Sequence, residues 1–212
     1  MAYLNIIENE YTKYYLVNEI YEFLNSISCN DYNICEELID YEYSRKYMDV
    51  TKEWLLNATP NSHKILDRKF YISESGIKYD VDNKNVIISY SNDEKDTALW
   101  LENTLGGELY INPKINKPDG IKSADYYFRG NNWDMKSMKD ATSKIRAVDN
   151  AIKNNKNQSK RFILDITGCK LSNSIIIKQA INIFTNGKFN RDWVQSIMII
   201  RNKKLIKILI KK

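Results

Sequence analysis

The chain has 212 residues, of which 43% are apolar and 28% are charged, a composition that excludes wholesale disorder and is typical of a folded globular protein. Three cysteines without a CxxC pair and a single histidine, His63, provide too few ligands or bases for a zinc finger or a histidine-based catalytic triad. The net charge of +5 is divided unevenly: residues 1–110 carry −10 and residues 111–212 carry +15. This asymmetry favours a polyanionic partner for the basic half, with a solvated basic face as the alternative.

The first 90 residues are predicted to form an acidic helical module and a connector. Apolar side chains recur every three or four residues over 11–27 and again over about 31–47, and Thr51 begins a short helix that Pro60 stops. The helical module therefore spans residues 1–59. In the connector, residues 60–90, three short β-type segments at 70–72, 78–81 and 86–90 predict a β-meander.

Residues 91–212 are predicted to form a basic α/β domain. Ser91 and Glu94 form a capping-box pattern, and the helix they begin ends at Gly106-Gly107. Further helices are expected at 140–154 and 172–187, and strands at 108–111, 124–128, 133–138, 161–167, 196–201 and 204–210. This order predicts a mixed sheet with helices on both faces.

The hairpin at residues 124–138 is expected to gather charged side chains on one face. A four-residue turn at 129–132 pairs Phe128 with Trp133, which places Asp125, Asp134 and Lys136 on one side of the hairpin. Two carboxylates in this arrangement repel each other unless a cation lies between them. A Mg²⁺ or Mn²⁺ ion satisfies that need and assists phosphodiester hydrolysis, with the lysine stabilising the developing charge. A surface salt bridge between Asp125 and Lys136 is the alternative. The opposite face would carry the apolar side chains Tyr126, Phe128, Trp133 and Met135.

A further carboxylate is expected from the helix that begins at Ser91. Glu94 lies on the same stripe as the core-facing Ala98, Leu101 and Leu105, at the helix end that should approach Asp125. Glu102 and Glu108 remain rivals, although Glu102 points about 80° away from the stripe by helix geometry. Glu108 follows the glycine pair and is expected at the far end of its strand.

These residues together resemble the PD-(D/E)xK nuclease superfamily over roughly residues 91–212. The resemblance is carried by Asp125, by Asp134-Met135-Lys136 nine residues later, by an upstream helical glutamate and by an αβββαβ order. More narrowly, the sequence looks like the C-terminal nuclease domains of contact-dependent inhibition (CdiA) and phage-associated polymorphic toxins. The stretches that carry this narrower likeness are Trp100-Leu101, Asn103-Thr104-Leu105-Gly106-Gly107, Lys117-Pro118-Asp119-Gly120, Ala124-Asp125-Tyr126 and Trp133-Asp134-Met135-Lys136.

The resemblance implies a restriction-endonuclease-like fold and a set of site residues. It implies Glu94, Asp125 and Asp134 as ligands of Mg²⁺ or Mn²⁺, Lys136 as the catalytic lysine, and Gln158 as a polar helper before the fourth strand. The sequence departs from the motif at Ala124, where the motif name has proline. A Pro-Asp pair does occur at Pro118-Asp119, which makes Asp119 a rival to Asp125.

The function that the resemblance implies is a metal-dependent endonuclease, a bacterial toxin effector that cleaves tRNA or DNA, with RNA slightly favoured. A cognate immunity protein would then be a partner. The alternatives are a non-catalytic module that binds nucleic acid or protein, and a restriction or repair nuclease. Without a signal peptide or an apolar run of membrane-spanning length, the chain is expected to act in the cytoplasm and not in a membrane. The expected phosphate contacts are Lys114, Lys117, Lys122, Arg129, Lys139, Lys144, Arg146, Lys160 and Arg161.

Overall fold

A computed structural model describes residues 46–60, 65–139, 141–185, 189 and 191–212. The predicted helix over 11–27, nearly all of the one over 31–47, and Cys29, Cys35 and His63 lie outside these ranges. Residues 46–212 form one compact unit. Its described part contains four helices: α1 (Thr51–Leu56), α2 (Asn92–Leu105), α3 (Ala147–Ile152) and α4 (Asn173–Thr185). None of these helices is both long and apolar enough to cross a membrane.

Twelve strands accompany the helices in the described ranges. They are β1 (Tyr47–Asp49), β2 (Ile65–Asp67), β3 (Phe70–Ile72), β4 (Lys78–Asp80), β5 (Val86–Ile87), β6 (Leu109–Ile111), β7 (Lys114–Ile115), β8 (Tyr126–Phe128), β9 (Asn131–Ser137), β10 (Arg161–Asp165), β11 (Ser196–Arg201) and β12 (Lys204–Lys211). Eight of them form one sheet in the order β1-β12-β11-β10-β9-β8-β6-β2. Within it β9, β10 and β11 run parallel, whereas β8 is antiparallel to both of its neighbours. The predicted mixed sheet is therefore confirmed.

Helices cover both faces of this sheet, as predicted. On β10 the side chains of Phe162 and Leu164 pack with α3 and α4, whereas Ile163 between them packs with α2. This alternation follows from the two-residue period of a strand. We call the two sides the α4 face and the α2 face. The succession α2, β6, β8, β9, α3, β10 follows the predicted αβββαβ order, with the two-residue β7 inserted.

The capping box at the start of α2 forms as predicted. The Ser91 hydroxyl accepts a hydrogen bond from the Glu94 backbone N–H, and the Glu94 carboxylate accepts one from the Ser91 N–H. Ala98, Leu101 and Leu105 are fully buried. These local signals were sufficient to predict the helix and its orientation.

The predicted β-meander is wrong in its third strand. Strands β3 and β4 form a hairpin, but β5 pairs with β7 instead. The reason lies in the turn after β4. The carboxylate of Asp82 accepts hydrogen bonds from the backbone N–H groups of Lys84, Asn85 and Val86, which redirects the chain away from the hairpin.

The helix predicted over 140–154 is much shorter in the structure, where α3 begins only at Ala147. Upstream, the Ser143 hydroxyl accepts a hydrogen bond from the Arg146 N–H, a local turn that competes with a helix. The Gln179 side chain on α4 accepts a hydrogen bond from the Val148 N–H, one of the free groups at the start of α3. Ile145, which a helix over 140–154 would place on the apolar stripe with Val148 and Ile152, is 69% exposed.

The β8–β9 hairpin has a tighter turn than the four-residue turn predicted. Phe128 pairs with Asn131, and Tyr126 pairs with Trp133. The two turn residues, Arg129 and Gly130, have φ of 49° and 75°, as a type I′ turn requires. The register therefore differs from the prediction by two residues. Since the side-chain period of a strand is two, the predicted faces are unchanged.

Gly106 at the end of α2 is expected to be intolerant of any side chain. It has a φ of +69°, and a Cβ at this position would lie 1.9 Å from the carbonyl oxygen of Thr59. Gly106→Ala should therefore lower the free energy of unfolding by about 2–4 kcal/mol, measured by urea denaturation. Gly76 is the matched control: its φ is +85° but no atom lies within 4 Å of its Cβ position. Gly76→Ala should cost only about 1–2 kcal/mol, and equal losses would contradict a steric cause.

Candidate active site

Asp125 and Asp134 lie opposite each other on β8 and β9. The register that pairs Tyr126 with Trp133 places Asp125, one residue before β8, across from Asp134. The Asp125 carboxylate accepts a hydrogen bond from the Met135 backbone N–H at 2.6 Å, which fixes it against β9. The aromatic neighbours Tyr126 and Trp133 pack into the core of the α2 face. The two aspartates therefore project towards the α4 face.

Asp134 is a buried carboxylate with few partners. Its side chain is 0% exposed, and Lys136 Nζ lies 2.7 Å from Oδ2. Within the part of the chain that the structure describes, neither oxygen receives a well-aligned hydrogen bond. The ion pair thus joins Lys136 to Asp134, not to Asp125 as the salt-bridge alternative expected. Burying a carboxylate is costly even when it has one cationic partner, and a second cation or a proton would relieve that cost.

Burial raises the pKa of both carboxyl groups. For Asp125, burial and then the charge of Asp134 raise the pKa to about 8. Burial also raises the pKa of Asp134, although Lys136 opposes the shift. Two carboxylates that cannot both ionise comfortably either share a proton or bind a cation.

Glu94 comes close to this pair but does not join it. Burial opposes ionisation of Glu94, but hydrogen bonds from the Ser91 N–H and from Lys114 outweigh it and lower its pKa. Lys114 Nζ lies 3.1 Å from its Oε1. The Glu94 charge is near enough to raise the pKa of Asp125. However, α2 packs on the opposite face from the two aspartates, and no group of three or more candidate ligands forms among the described residues.

The rival acids lie farther from the aspartate pair. Glu102 is buried two turns farther along α2 and is 2% exposed, because α2 buries a broader arc than the predicted stripe. Glu108 accepts a hydrogen bond from the Tyr110 hydroxyl at 2.7 Å, at an exposed position. Asp119 is exposed in the loop before β8. Glu94, by contrast, lies close enough for its charge to raise the pKa of Asp125.

Gln158 contacts the segment that leads into Asp125. Its side-chain amide donates a hydrogen bond to the Ser123 carbonyl at 2.9 Å. Its own carbonyl accepts a hydrogen bond from the Tyr71 hydroxyl at 3.0 Å. In this position Gln158 holds the entry to β8, and its role as a catalytic helper stays a prediction.

Tyr71 on β3 is a site neighbour that sequence reasoning missed. It is fully buried, and its hydroxyl accepts a hydrogen bond from the Ala124 N–H at 3.2 Å. Burial raises its pKa to about 12, so it stays a neutral donor. Asp134 is near enough to contribute to that shift. Tyr71 lies in a strand of only three residues, and nothing in the local sequence predicts that its hydroxyl reaches Ala124.

The donor set fits a hard divalent ion held by two carboxylates. Mg²⁺ is commonly bound through one or two carboxylates, with waters and substrate phosphates completing the shell. Asp125 and Asp134 provide those two carboxylates on neighbouring strands, with Lys136 ion-paired to one oxygen of Asp134. For Glu94 to act as a third ligand, its carboxylate would have to break its hydrogen bonds with the Ser91 N–H and with Lys114.

The predicted phosphate contacts divide into paired and unpaired cations. Lys114, Lys139 and Lys160 form ion pairs with Glu94, Asp93 and Glu74. Within the described ranges, no ion pair involves Lys117, Lys122, Lys144 or Arg146. Lys122 is also near enough to lower the pKa of Asp134. Lys122 is therefore a cation without an ion pair in the described ranges that lies close to the aspartate pair.

Comparison with protein families adds an independent observation. Residues 122–205 match the family described as the contact-dependent growth inhibition CdiA C-terminal domain. The match supports a CdiA-type toxin. The matched stretch includes Asp125, Asp134 and Lys136 but excludes Glu94, and it covers less than half of the chain. No curated protein and no solved structure matches the chain significantly.

Proposed function

We propose that this chain is a metal-dependent nuclease that acts as a bacterial toxin effector. The observation that carries the proposal is the fully buried Asp134, which lies opposite the half-buried Asp125 and forms an ion pair with Lys136 at 2.7 Å. The match to the CdiA C-terminal domain supports the toxin role. The order of helices and strands is compatible with a restriction-endonuclease-like core.

Each of the three residues has a distinct role in this proposal. Asp125 and Asp134 hold the divalent ion, which supplies Lewis acidity to the scissile phosphodiester when bound. Lys136 balances part of the charge of Asp134 through their ion pair. Its side chain is 24% exposed, so its ammonium group also faces solvent and substrate. There it stabilises the negative charge that develops on the phosphate. Glu94 serves as an outer carboxylate that orients Lys114.

The proposed substrate is RNA, with tRNA as the first candidate and DNA as the second. Phosphate contacts from lysine and arginine dominate affinity for either polymer. The excess of positive charge in residues 111–212 is suited to such a substrate. A cognate immunity protein is the proposed partner that would protect the producing cell.

A cleavage assay on total tRNA and on plasmid DNA tests the proposal. Cleavage should require Mg²⁺ or Mn²⁺ and should stop when EDTA is added, because without the ion the aspartate pair holds a proton in its place. Readdition of Mn²⁺ should restore activity, which separates chelation from damage to the protein. Full activity in EDTA would contradict the metal mechanism.

A binding module without catalysis is the second candidate. The ion pair between Lys136 and Asp134 favours it, because that contact occupies both groups in the absence of metal. This candidate predicts tRNA or DNA binding in a gel-shift assay without cleavage in any divalent ion. The same assay with Mg²⁺, Mn²⁺, Zn²⁺ and Ca²⁺ therefore distinguishes the two functions.

A further inference from the structure

A cavity of about 380 Å³ lies on the α2 face of the sheet, at the end where β9, β10 and β11 begin. Its lining includes Trp54 of α1, Arg129 of the β8–β9 turn, Trp133 of β9 and Arg161 of β10. Trp133 and Asp134 are consecutive on β9 and project to opposite faces. The cavity is therefore a separate site from the aspartate pair.

Two guanidinium groups line this cavity, and no Asp or Glu is among its described lining residues. The Arg129 guanidinium carbon lies 4.4 Å from the centre of the Trp54 ring. Among the described residues its guanidinium donates one hydrogen bond, to the Leu105 carbonyl at 3.1 Å, and Glu53 is near enough to raise its pKa against the effect of burial. The Arg161 guanidinium donates no hydrogen bond and forms no ion pair within the described chain. The acid that raises the pKa of Arg161, Glu74, already pairs with Lys160 at 2.9 Å.

Both cations are partly removed from water. Burial lowers the pKa of Arg129 and of Arg161. Two partly desolvated like charges that share a cavity repel each other, and an anion between them relieves that repulsion. The planar five-donor guanidinium group matches the oxygens of a phosphate better than an ammonium group does.

The rest of the lining is suited to a nucleobase. Trp54 and Trp133 meet edge to face, with ring planes at 73° and centroids 6.0 Å apart; Trp133 is buried, so the half-buried Trp54 provides the accessible aromatic surface. Aromatic and guanidinium planes are the surfaces on which unpaired bases stack. Asn131 and Gln195 add amide groups that can hydrogen-bond to base edges. The volume lies within the usual range for small-molecule sites.

We propose that this cavity binds a nucleotide, with its phosphate between Arg129 and Arg161 and its base against Trp54. The nucleotide is either a free molecule or one unit of a nucleic-acid strand, since both present the same phosphate and base. This site does not depend on the proposed nuclease activity, because it lies on the other face of β9.

Binding of adenosine 5′-monophosphate and of inorganic phosphate to the full chain tests the proposal. Calorimetry gives the affinities, and quenching of tryptophan fluorescence reports a ligand close to Trp54. The nucleotide should bind more tightly than phosphate, and Arg161→Gln should weaken nucleotide binding about tenfold by removing a charged hydrogen-bond donor. Arg161→Lys should give an intermediate affinity, because it keeps the charge but loses the paired donors.

Lys178→Gln is the control, because Lys178 is exposed on α4 and is neither among the residues that line the cavity nor among the expected phosphate contacts. It should leave nucleotide affinity unchanged. A single-stranded oligonucleotide that competes with the nucleotide would identify a strand as the source, and one that does not compete would identify a free nucleotide. Asp134→Asn should still bind the nucleotide, which separates this proposal from the nuclease. No saturable binding at millimolar nucleotide, equal affinity for phosphate, or equal loss in Lys178→Gln would overturn it.

Discussion

Asp134→Asn is expected to abolish metal-dependent cleavage, and Lys136→Met is expected to lower kcat by about 10²-fold or more while metal still binds. The amide of asparagine keeps the shape of Asp134 but removes the charge that holds the ion. Lys136 instead stabilises charge that appears only in the transition state, so its loss affects rate more than binding. Metal binding is measured as a Mn²⁺-dependent rise in Tm, and cleavage on the substrate that the wild type cuts.

Matched variants distinguish these effects from a general loss of charge. Lys153→Met removes an exposed lysine that directly follows α3 and is not among the expected phosphate contacts. Asp119→Asn removes an exposed acid outside the aspartate pair. Both control variants should retain most of the activity. Cleavage by Asp134→Asn at the wild-type rate would refute the proposed active site. An inactive Asp119→Asn would instead indicate that the active site includes the Pro118-Asp119 loop.

Local sequence signals were sufficient for the elements that position the aspartates. The Ser91–Glu94 capping box fixed the start of α2, and alternation along residues 124–138 identified the face of each side chain. The turn was misjudged because Arg129 adopts a positive φ, which a non-glycine residue rarely does. Its stacking on Trp54 and its bond to the Leu105 carbonyl stabilise that conformation. Neither contact is visible in the local sequence.

Contacts between distant segments were not predictable in the same way. Strand β1 pairs Tyr47 with Lys211, and β2 pairs Ile65 with Leu109. Each strand has only three residues, too few for a periodic pattern to stand out. The same limit applies to the site, because the burial of Asp134 and the contact of Tyr71 with Ala124 depend on how the β3–β4 hairpin packs. Sequence alone identified the charged residues but not the desolvation that gives them their chemistry.

The pH dependence of stability offers a test that does not require the substrate. Asp125 has a pKa of about 8 in the folded protein, well above its usual value, because of burial and the charge of Asp134. Between the unfolded and folded pKa values the folded state holds more protons than the unfolded state. The stability that this proton contributes is therefore fully present below the pKa of the unfolded state. It is lost as the pH rises through the pKa of the folded protein. Lys136 and Glu94 act in opposite directions on that pKa, and burial outweighs Lys136.

In EDTA the wild-type protein should therefore lose about 1–2 kcal/mol of unfolding free energy between about pH 6 and pH 8, measured by urea denaturation. Asp125→Asn should abolish most of this slope and should be more stable than the wild type at the upper pH, because it removes one of two buried charges. An asparagine oxygen can still accept the hydrogen bond from the Met135 N–H. Asp119→Asn, which removes an exposed carboxylate, should keep the wild-type slope. Saturating Mn²⁺ should reverse the trend in the wild type only, since the ion binds the deprotonated pair. If the unfolding free energy of the wild type in EDTA did not change with pH, burial would not raise the pKa of the aspartate pair. The electrostatic argument for a cation between Asp125 and Asp134 would then fail.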